Sequence, residues 1–371
     1  MKKKTFLLAQ LAIASATTLS LGVQAEQRFQ NLRGAATLDG SSVAPNIIAG
    51  SPPDSPSGRI DPNLTTSPWA GVVSINIRYG GGSYICTGSM ISPTHVLTAG
   101  HCVDTTDLGN VIDITQPGND VRVVFNSQAV AGGANSFTLA TATAVNMHPA
   151  YQGFGPCPAG VTGFCLNDDL AVLTLPAASV PSWVPIYQVG SLNQSSPQTM
   201  VGFGTSGTGI AGGNVSPSFF VKRTGANYSD VFDRDDEQNF TGFNEVWQSD
   251  FDGAGQNTHC TLYGVCTPGL ENNVETALGG GDSGGPSFQR LGDRWVVVGN
   301  NTYGTTFFDG QAQGTFGSGS GGMVLTPYIP WLQSVTGGAV VVAVPEPQTY
   351  ALMALGLLAI GAAARRRQRA D

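Results

Sequence analysis

An all-β protein is the fold class this sequence supports, on three observations. Glycine is abundant, at 50 of 371 residues, about double the usual ~7% share. Charged residues are sparse, at 11%, which favours a loop-rich β protein over a helical one. Short alternating apolar runs bounded by turn formers read as strands, at Gly71 to Tyr79, Val121 to Phe125 and Trp295 to Val298. No internal repeat, Gly-rich phosphate motif, basic stripe or zinc-type Cys/His cluster is evident, and the reading calls for no cofactor and no metal.

The first element is an address. Lys2, Lys3 and Lys4 precede a mostly apolar stretch from Thr5 to Gly22, and Val23-Gln24-Ala25 is a small-residue cleavage site. Residues 1–25 therefore read as a secretory signal peptide, which makes signal peptidase a partner. Residues 26–46 follow as a propeptide or flexible arm. Ser51 to Thr66 is rich in Pro and Ser and reads as extended loop.

The body carries three short runs that belong together: Leu97-Thr98-Ala99-Gly100-His101-Cys102, Asp169-Leu170-Ala171-Val172-Leu173 and Gly280-Gly281-Asp282-Ser283-Gly284-Gly285-Pro286. A serine hydroxyl is a poor nucleophile at neutral pH. It needs a base within hydrogen-bond reach, and the base needs a group that fixes its tautomer. Ser283 is the candidate nucleophile, His101 the base and Asp169 the orienting carboxylate. His95, His148 and His259 lack the Thr-Ala-Gly-His-Cys context. Asp168 is a rival to Asp169, but the apolar residues directly after Asp169 favour the latter.

These runs, in the order His, Asp, Ser, resemble those of the chymotrypsin/trypsin-like serine proteases (peptidase S1). The resemblance covers roughly residues 47 to 336. It extends to Cys86-Thr87-Gly88-Ser89-Met90-Ile91-Ser92, Val201-Gly202-Phe203-Gly204, His148-Pro149-Ala150-Tyr151, the strand Trp295 to Gly304, and Pro327 to Leu332 at the start of a closing helix. It implies two six-stranded antiparallel β-barrels with a short C-terminal helix. It also implies an oxyanion hole from the backbone N–H groups of Gly281 and Ser283, and a Cys86–Cys102 disulfide. The near pairs Cys157/Cys165 and Cys260/Cys266 can each close a small loop, with connectivity open at this level. Where the family usually has Cys four residues before the nucleophile, this chain has Gly279.

Activation and specificity follow from the same likeness. A new N-terminus at Ile47, in Ile47-Ile48-Ala49-Gly50, would pair with Asp282; the bond Arg59-Ile60 competes as a start. The pocket-floor position falls on Ala277, with Thr302 and Gly304 on the flanking strand. No acid stands at the floor, so an apolar or small residue is expected before the scissile bond, although Glu275 is close enough in sequence to reach in. Asp250, Asp252 and Asn257 make a calcium loop conceivable, without EF-hand spacing.

The C-terminus holds a second address. After a linker at 337–344 comes Pro345-Glu346-Pro347, then an apolar run from Tyr350 to Ala364, then Arg365, Arg366, Arg367 and Arg369. The pattern over 345–371 resembles the PEP-CTERM sorting signal of Gram-negative bacteria, the substrate of exosortases. The apolar run is 15 residues, short beside the ~20 of a full transmembrane helix, and the arginines would hold its end on the cytoplasmic side. It reads as a transient inner-membrane anchor, with release or attachment to the cell surface or extracellular matrix after tail removal.

Without Lys2, Lys3, Lys4, the four terminal arginines and Asp371, and with Glu346 retained, the body holds ten basic and 24 acidic residues, a net charge near −14. Nucleic acid is excluded as a partner by that repulsion. The expectation is an exported serine endopeptidase acting on protein or peptide substrates. The alternatives are a non-catalytic matrix or surface binding protein on the same body, and an esterase.

Overall fold

The computed structural model describes residues 28–31, 34–35, 47–162 and 164–343. The signal peptide at 1–25 and the sorting signal at Pro345, Glu346 and Pro347 lie outside the described residues.

The N-terminal lobe is built on the run Val72–Tyr79, which pairs antiparallel with Gly82–Ser92 and with Asp120–Ser127. Gly80 and Gly81 sit at φ +57° and +79°, the left-handed pair that closes a two-residue hairpin matched to strand twist. Alternation then sorts the side chains. Val73, Ile75 and Ile77 point into one core with Met90, Val96, Val121, Val123 and Phe125. Val72, Ile85, Leu97 and Val124 point the other way, into a core shared with Val201, Phe288, Val297 and Tyr303 of the second lobe. The full sheet runs Ala144–Met147, Ala171–Thr174, His95–Thr98, Gly82–Ser92, Val72–Tyr79, Asp120–Ser127, Ser136–Thr141, and Gly34–Ala35 joins Gly82–Ser92 as an eighth strand.

The C-terminal lobe centres on the long strand Arg294–Thr306, flanked by Pro286–Leu291 and Gly319–Val324. Beyond these lie Pro197–Gly202 with Lys222–Tyr228 on one side and Asn244–Asp250 with Val231–Arg234 on the other. The helix Ile329–Val335 starts on Pro330 and buries Leu332 in the shared core. A third small sheet joins Ile47–Ala49 in parallel to Ser206–Thr208, which pairs with Gly212–Val215.

The fold class is all-β, with curled sheets of the chymotrypsin type. The two large sheets hold eight and ten strands rather than six. Short edge strands account for part of the excess: Gly34–Ala35 on one, and Arg28–Asn31, Ile60–Asp61 and Gln188–Val189 on the other. The stretch 51–66 is more ordered than an extended loop, with a 3-10 turn at Pro56–Arg59 before Ile60–Asp61. Residues 337–343, expected as linker, dock on the body: Ala343 N–H donates to Val189 O, and Val340 is buried. Among the described residues no helix is long and apolar enough to cross a membrane.

Candidate active site

Three elements from both lobes bring Asp169, His101 and Ser283 together. His101 sits on the single turn Gly100–Val103, directly after the strand His95–Thr98. Asp169 immediately precedes Leu170 and the strand Ala171–Thr174, whose register Ala171↔Thr98 brings it beside that turn. Gly100 leaves room for this approach, since a Cβ there would stand 3.2 Å from Asp169 Oδ1. Ser283 arrives from the second lobe, in the turn before Pro286–Leu291.

The contacts form one unbroken line. Asp169 accepts the His101 backbone N–H at 2.7 Å on Oδ1 and the ring Nδ1–H at 2.8 Å on Oδ2. A carboxylate can only accept, so Nδ1 carries the proton and Nε2 is left as the acceptor. His101 Nε2 lies 2.7 Å from Ser283 Oγ. All three side chains are buried. Phe154 covers the imidazole, with ring centroids 5.2 Å apart. Asp168, the sequence rival, points elsewhere: its carboxylate meets His148 Nδ1 at 3.0 Å, and His148 packs edge-on against Tyr328 and Trp331.

The glycine run around Ser283 can be accounted for bond by bond. Asp282 N–H donates to Gly279 O, Gly284 N–H to Asn301 O and Gly285 N–H to Asp282 O. Among the described residues of 281–285, the N–H groups of Gly281 and Ser283 have no backbone acceptor. Gly281 has φ +106° and Gly284 φ +77°, the region open to glycine. Two threonines fix this run. Thr205 donates to Gly280 O from its N–H at 2.6 Å and from its hydroxyl at 3.1 Å. In a trans peptide the C=O and the next N–H point in opposite directions, so this clamp turns the Gly281 N–H away from Thr205. Thr87 donates its hydroxyl to Gly281 O at 2.8 Å and its N–H to Ser283 O at 2.8 Å. Neither threonine was singled out by sequence; a hydroxyl facing a glycine loop from a distant part of the chain leaves no local signature.

Asp282 is buried and accepts from Gly204 N–H and Gly279 N–H, each at 2.8 Å. Burial pushes its carboxyl up to about 7, against the pull of these bonds, of Arg223 and of the Ile47 N–H. Ile47 is fully buried beside it. The competing start is tied down elsewhere: Arg59 forms a two-pronged bond to Asp54 and also donates to Val274 O. Arg223 is a further residue with no local signature in the sequence, a buried cation whose charge pulls against the rise of the Asp282 carboxyl.

Ala277 is buried in an apolar cluster with Ile48, Phe251 and Phe316. Thr302 and Gly304 lie on Arg294–Thr306, with Thr302 O 3.5 Å from Ser283 Oγ. Glu275 is spent on the N–H groups of Asp252 and Leu270, and burial raises its carboxyl to about 9. A cavity of about 470 Å³ opens beside the segment leading to Asp169, lined by Phe164, Leu166, Asn167 and Phe232 among others. The expected disulfides Cys86–Cys102, Cys157–Cys165 and Cys260–Cys266 are all formed. Asp250 accepts the His259 N–H at 2.7 Å and Asp252 takes Asn257 Nδ2 at 2.9 Å. With His259 Nδ1 3.3 Å from Asp230, this group includes a nitrogen donor, unlike the all-oxygen sets calcium takes.

A β-rich body with a serine, an imidazole and a carboxylate in line at the junction of its lobes defines a serine-protease type of site. The chain matches the Trypsin family over residues 59–319 and belongs to it. Residues 343–367 match the PEP-CTERM protein-sorting motif. The chain is 26% identical over 258 residues to Brachyurin from Leptuca pugilator, covering 68% of this chain and 88% of that protein.

Proposed function

We propose that this trypsin-family chain is an exported serine endopeptidase that cuts peptide bonds through an acyl-enzyme. The observation that carries the reading is the unbroken line Asp169–His101–Ser283 at 2.8 and 2.7 Å. Ser283 Oγ attacks the substrate carbonyl while His101 Nε2 takes its proton. Asp169 holds the tautomer and steadies the imidazolium that forms. The Gly281 and Ser283 N–H groups receive the developing oxyanion, a contribution of about 100- to 1,000-fold per donor. His101 then protonates the leaving amine, and water releases the acyl group by the same steps in reverse.

Activation rests on a new amine at Ile47 pairing with Asp282. The ammonium would pull the Asp282 carboxyl back down and lock the run that holds the oxyanion donors. Ala277, Thr302 and Gly304 form the specificity pocket, which takes an apolar or small side chain. The sorting motif supports processing by an exosortase-type enzyme at a Gram-negative cell surface, after export and removal of the leader by signal peptidase.

The test is labelling with a fluorophosphonate probe. The wild-type chain takes the label and Ser283→Ala does not. An activated wild type that takes no label returns the chain to a binding scaffold.

A further inference from the structure

Two buried carboxylates and a buried imidazole meet in the C-terminal lobe, outside the line Asp169–His101–Ser283. Asp230 precedes the strand Val231–Arg234, Asp250 ends the strand Asn244–Asp250, and His259 stands on the short helix Thr258–Tyr263. One ligand atom from each lies within 4.8 Å of the others. All three side chains are at most 4% exposed. Among the described residues neither carboxylate is paired with a lysine or arginine; His259 is the partner of both.

His259 is the informative member. Its Nδ1 lies 3.3 Å from Asp230 Oδ2 and 3.7 Å from Asp250 Oδ1. Yet neither ring nitrogen has a hydrogen-bond partner, a costly state for a buried polar group. His101 differs: its Nδ1 donates to Asp169 Oδ2 at 2.8 Å. The wider separations at His259 fit a shared ion better than a shared proton. Zinc bonds of about 2.0–2.2 Å to a tetrahedral set put ligand atoms about 3.3–3.6 Å apart. The far oxygens are already anchored. Asp230 Oδ1 accepts the Thr267 hydroxyl at 2.5 Å, and Asp250 Oδ2 accepts the His259 backbone N–H at 2.7 Å. Outer contacts of this kind orient metal ligands and tune affinity. A nitrogen with two carboxylate oxygens suits zinc, whereas calcium takes roughly six to eight oxygens.

We propose that Asp230, Asp250 and His259 hold a structural Zn²⁺ ion, with Nδ1 and one oxygen of each carboxylate as its ligands. The ion's charge offsets those of the two carboxylates, and its burial among them marks it as structural. The expectation of no metal rested on the lack of a Cys/His cluster. Two aspartates and a histidine spaced 20 and nine residues apart carry no such signature. The ion ties three elements of the lobe together, and Cys260–Cys266 pins the helix a second time. Phe251, next along from Asp250, packs with Ala277. The ion thus braces the segment beside the Ala277 cluster, in a chain with Gly279 where the family usually has a cysteine. The inference does not depend on the endopeptidase reading, because binding is measured without catalysis.

The experiment titrates Zn²⁺ into the chelator-stripped full chain, with calorimetry and the thermal midpoint as readouts. Wild type is expected to bind a single Zn²⁺ per chain. Its midpoint should rise by about 4 °C at zinc roughly a hundredfold above the dissociation constant. Thr267→Val removes only the outer hydroxyl bond and should weaken binding by about 10- to 100-fold; His259→Asn should abolish it. Zinc-edge anomalous scattering from wild-type crystals keeps the test independent of how either variant folds, and its peak should fall between Asp230, Asp250 and His259. A wild type that binds no zinc, a His259→Asn chain that binds it as tightly, or a peak only elsewhere overturns the inference and leaves His259 a protonated partner of the two aspartates. A midpoint raised by Ca²⁺ and not by Zn²⁺ overturns it as well. The fluorophosphonate label reports on Ser283 separately, so either reading can fail alone.

Discussion

Thr205 carries two hydrogen bonds to one carbonyl, and only one of them depends on its side chain. Thr205→Val keeps the backbone bond to Gly280 O and removes the hydroxyl bond at 3.1 Å. A typical net hydrogen bond is worth about 0.5–1.5 kcal/mol. We expect kcat to fall by roughly two- to tenfold with KM nearly unchanged, and Thr205→Ser to restore it; steady-state kinetics on a peptide substrate read both. A change confined to KM would mean that Thr205 shapes substrate binding and not the proposed oxyanion donors. Gly284 makes the opposite demand. It has φ +77°, and a Cβ there would stand 2.1 Å from Thr98 Oγ1 and 2.4 Å from Thr87 O. Gly284→Ala should lose on the order of 1–3 kcal/mol from backbone strain alone, with overpacking added, seen as a lower thermal midpoint. The run Gly281 to Gly285 was readable in sequence because each glycine answers a local backbone need. Thr87, Thr205 and Arg223 were not, because their partners in the turn at Gly280 to Ser283 lie far away in the chain.

The element most exposed to a single change is the turn Gly100–Val103. Cys102 ties it to the strand Gly82–Ser92 through Cys86. Replacing both cysteines by serine should cost roughly 2–4 kcal/mol. Because His101 is the neighbouring residue, activity should fall further than stability predicts, measured as kcat well below the midpoint. If kcat is retained, the hydrogen bonds of Asp169 alone hold the imidazole. The strands at Val72–Tyr79, Asp120–Ser127 and Arg294–Thr306 were legible from alternation between two buried faces and polar bounds. The edge strands were not. Arg28–Asn31, Gly34–Ala35 and Gln188–Val189 have too little pattern of their own and exist only because a longer strand offers them an edge.

Among the described residues, several buried acids carry a desolvation that no neighbouring cation outweighs. Burial raises the carboxyls of Asp252 and Asp282 to about 7, of Glu245 to about 8 and of Glu275 to about 9. Native values above the unfolded ones mean that the folded chain keeps protons the unfolded chain has released. Their contribution is full below the unfolded values near 4 and is lost as pH rises through 7 to 9. The thermal midpoint should therefore fall from mildly acidic to alkaline pH, and Glu275→Gln should flatten the upper part of that fall. A midpoint rising across the same range would show that these acids are ionised and compensated. The body's acidity was legible in composition; which acids are buried was set by the packing around Glu245, Asp252, Glu275 and Asp282, which no local pattern announces. The three bridges link cysteines only 16, 8 and 6 residues apart, so each lies within one neighbourhood of the chain and none staples lobe to lobe. Six thiols have fifteen ways to couple, but here nearest partners in order of emergence are also the native ones. Oxidation can keep pace with the emergence of the chain, without an isomerase to undo mistakes, and the lobes remain free to find each other after every bridge has closed.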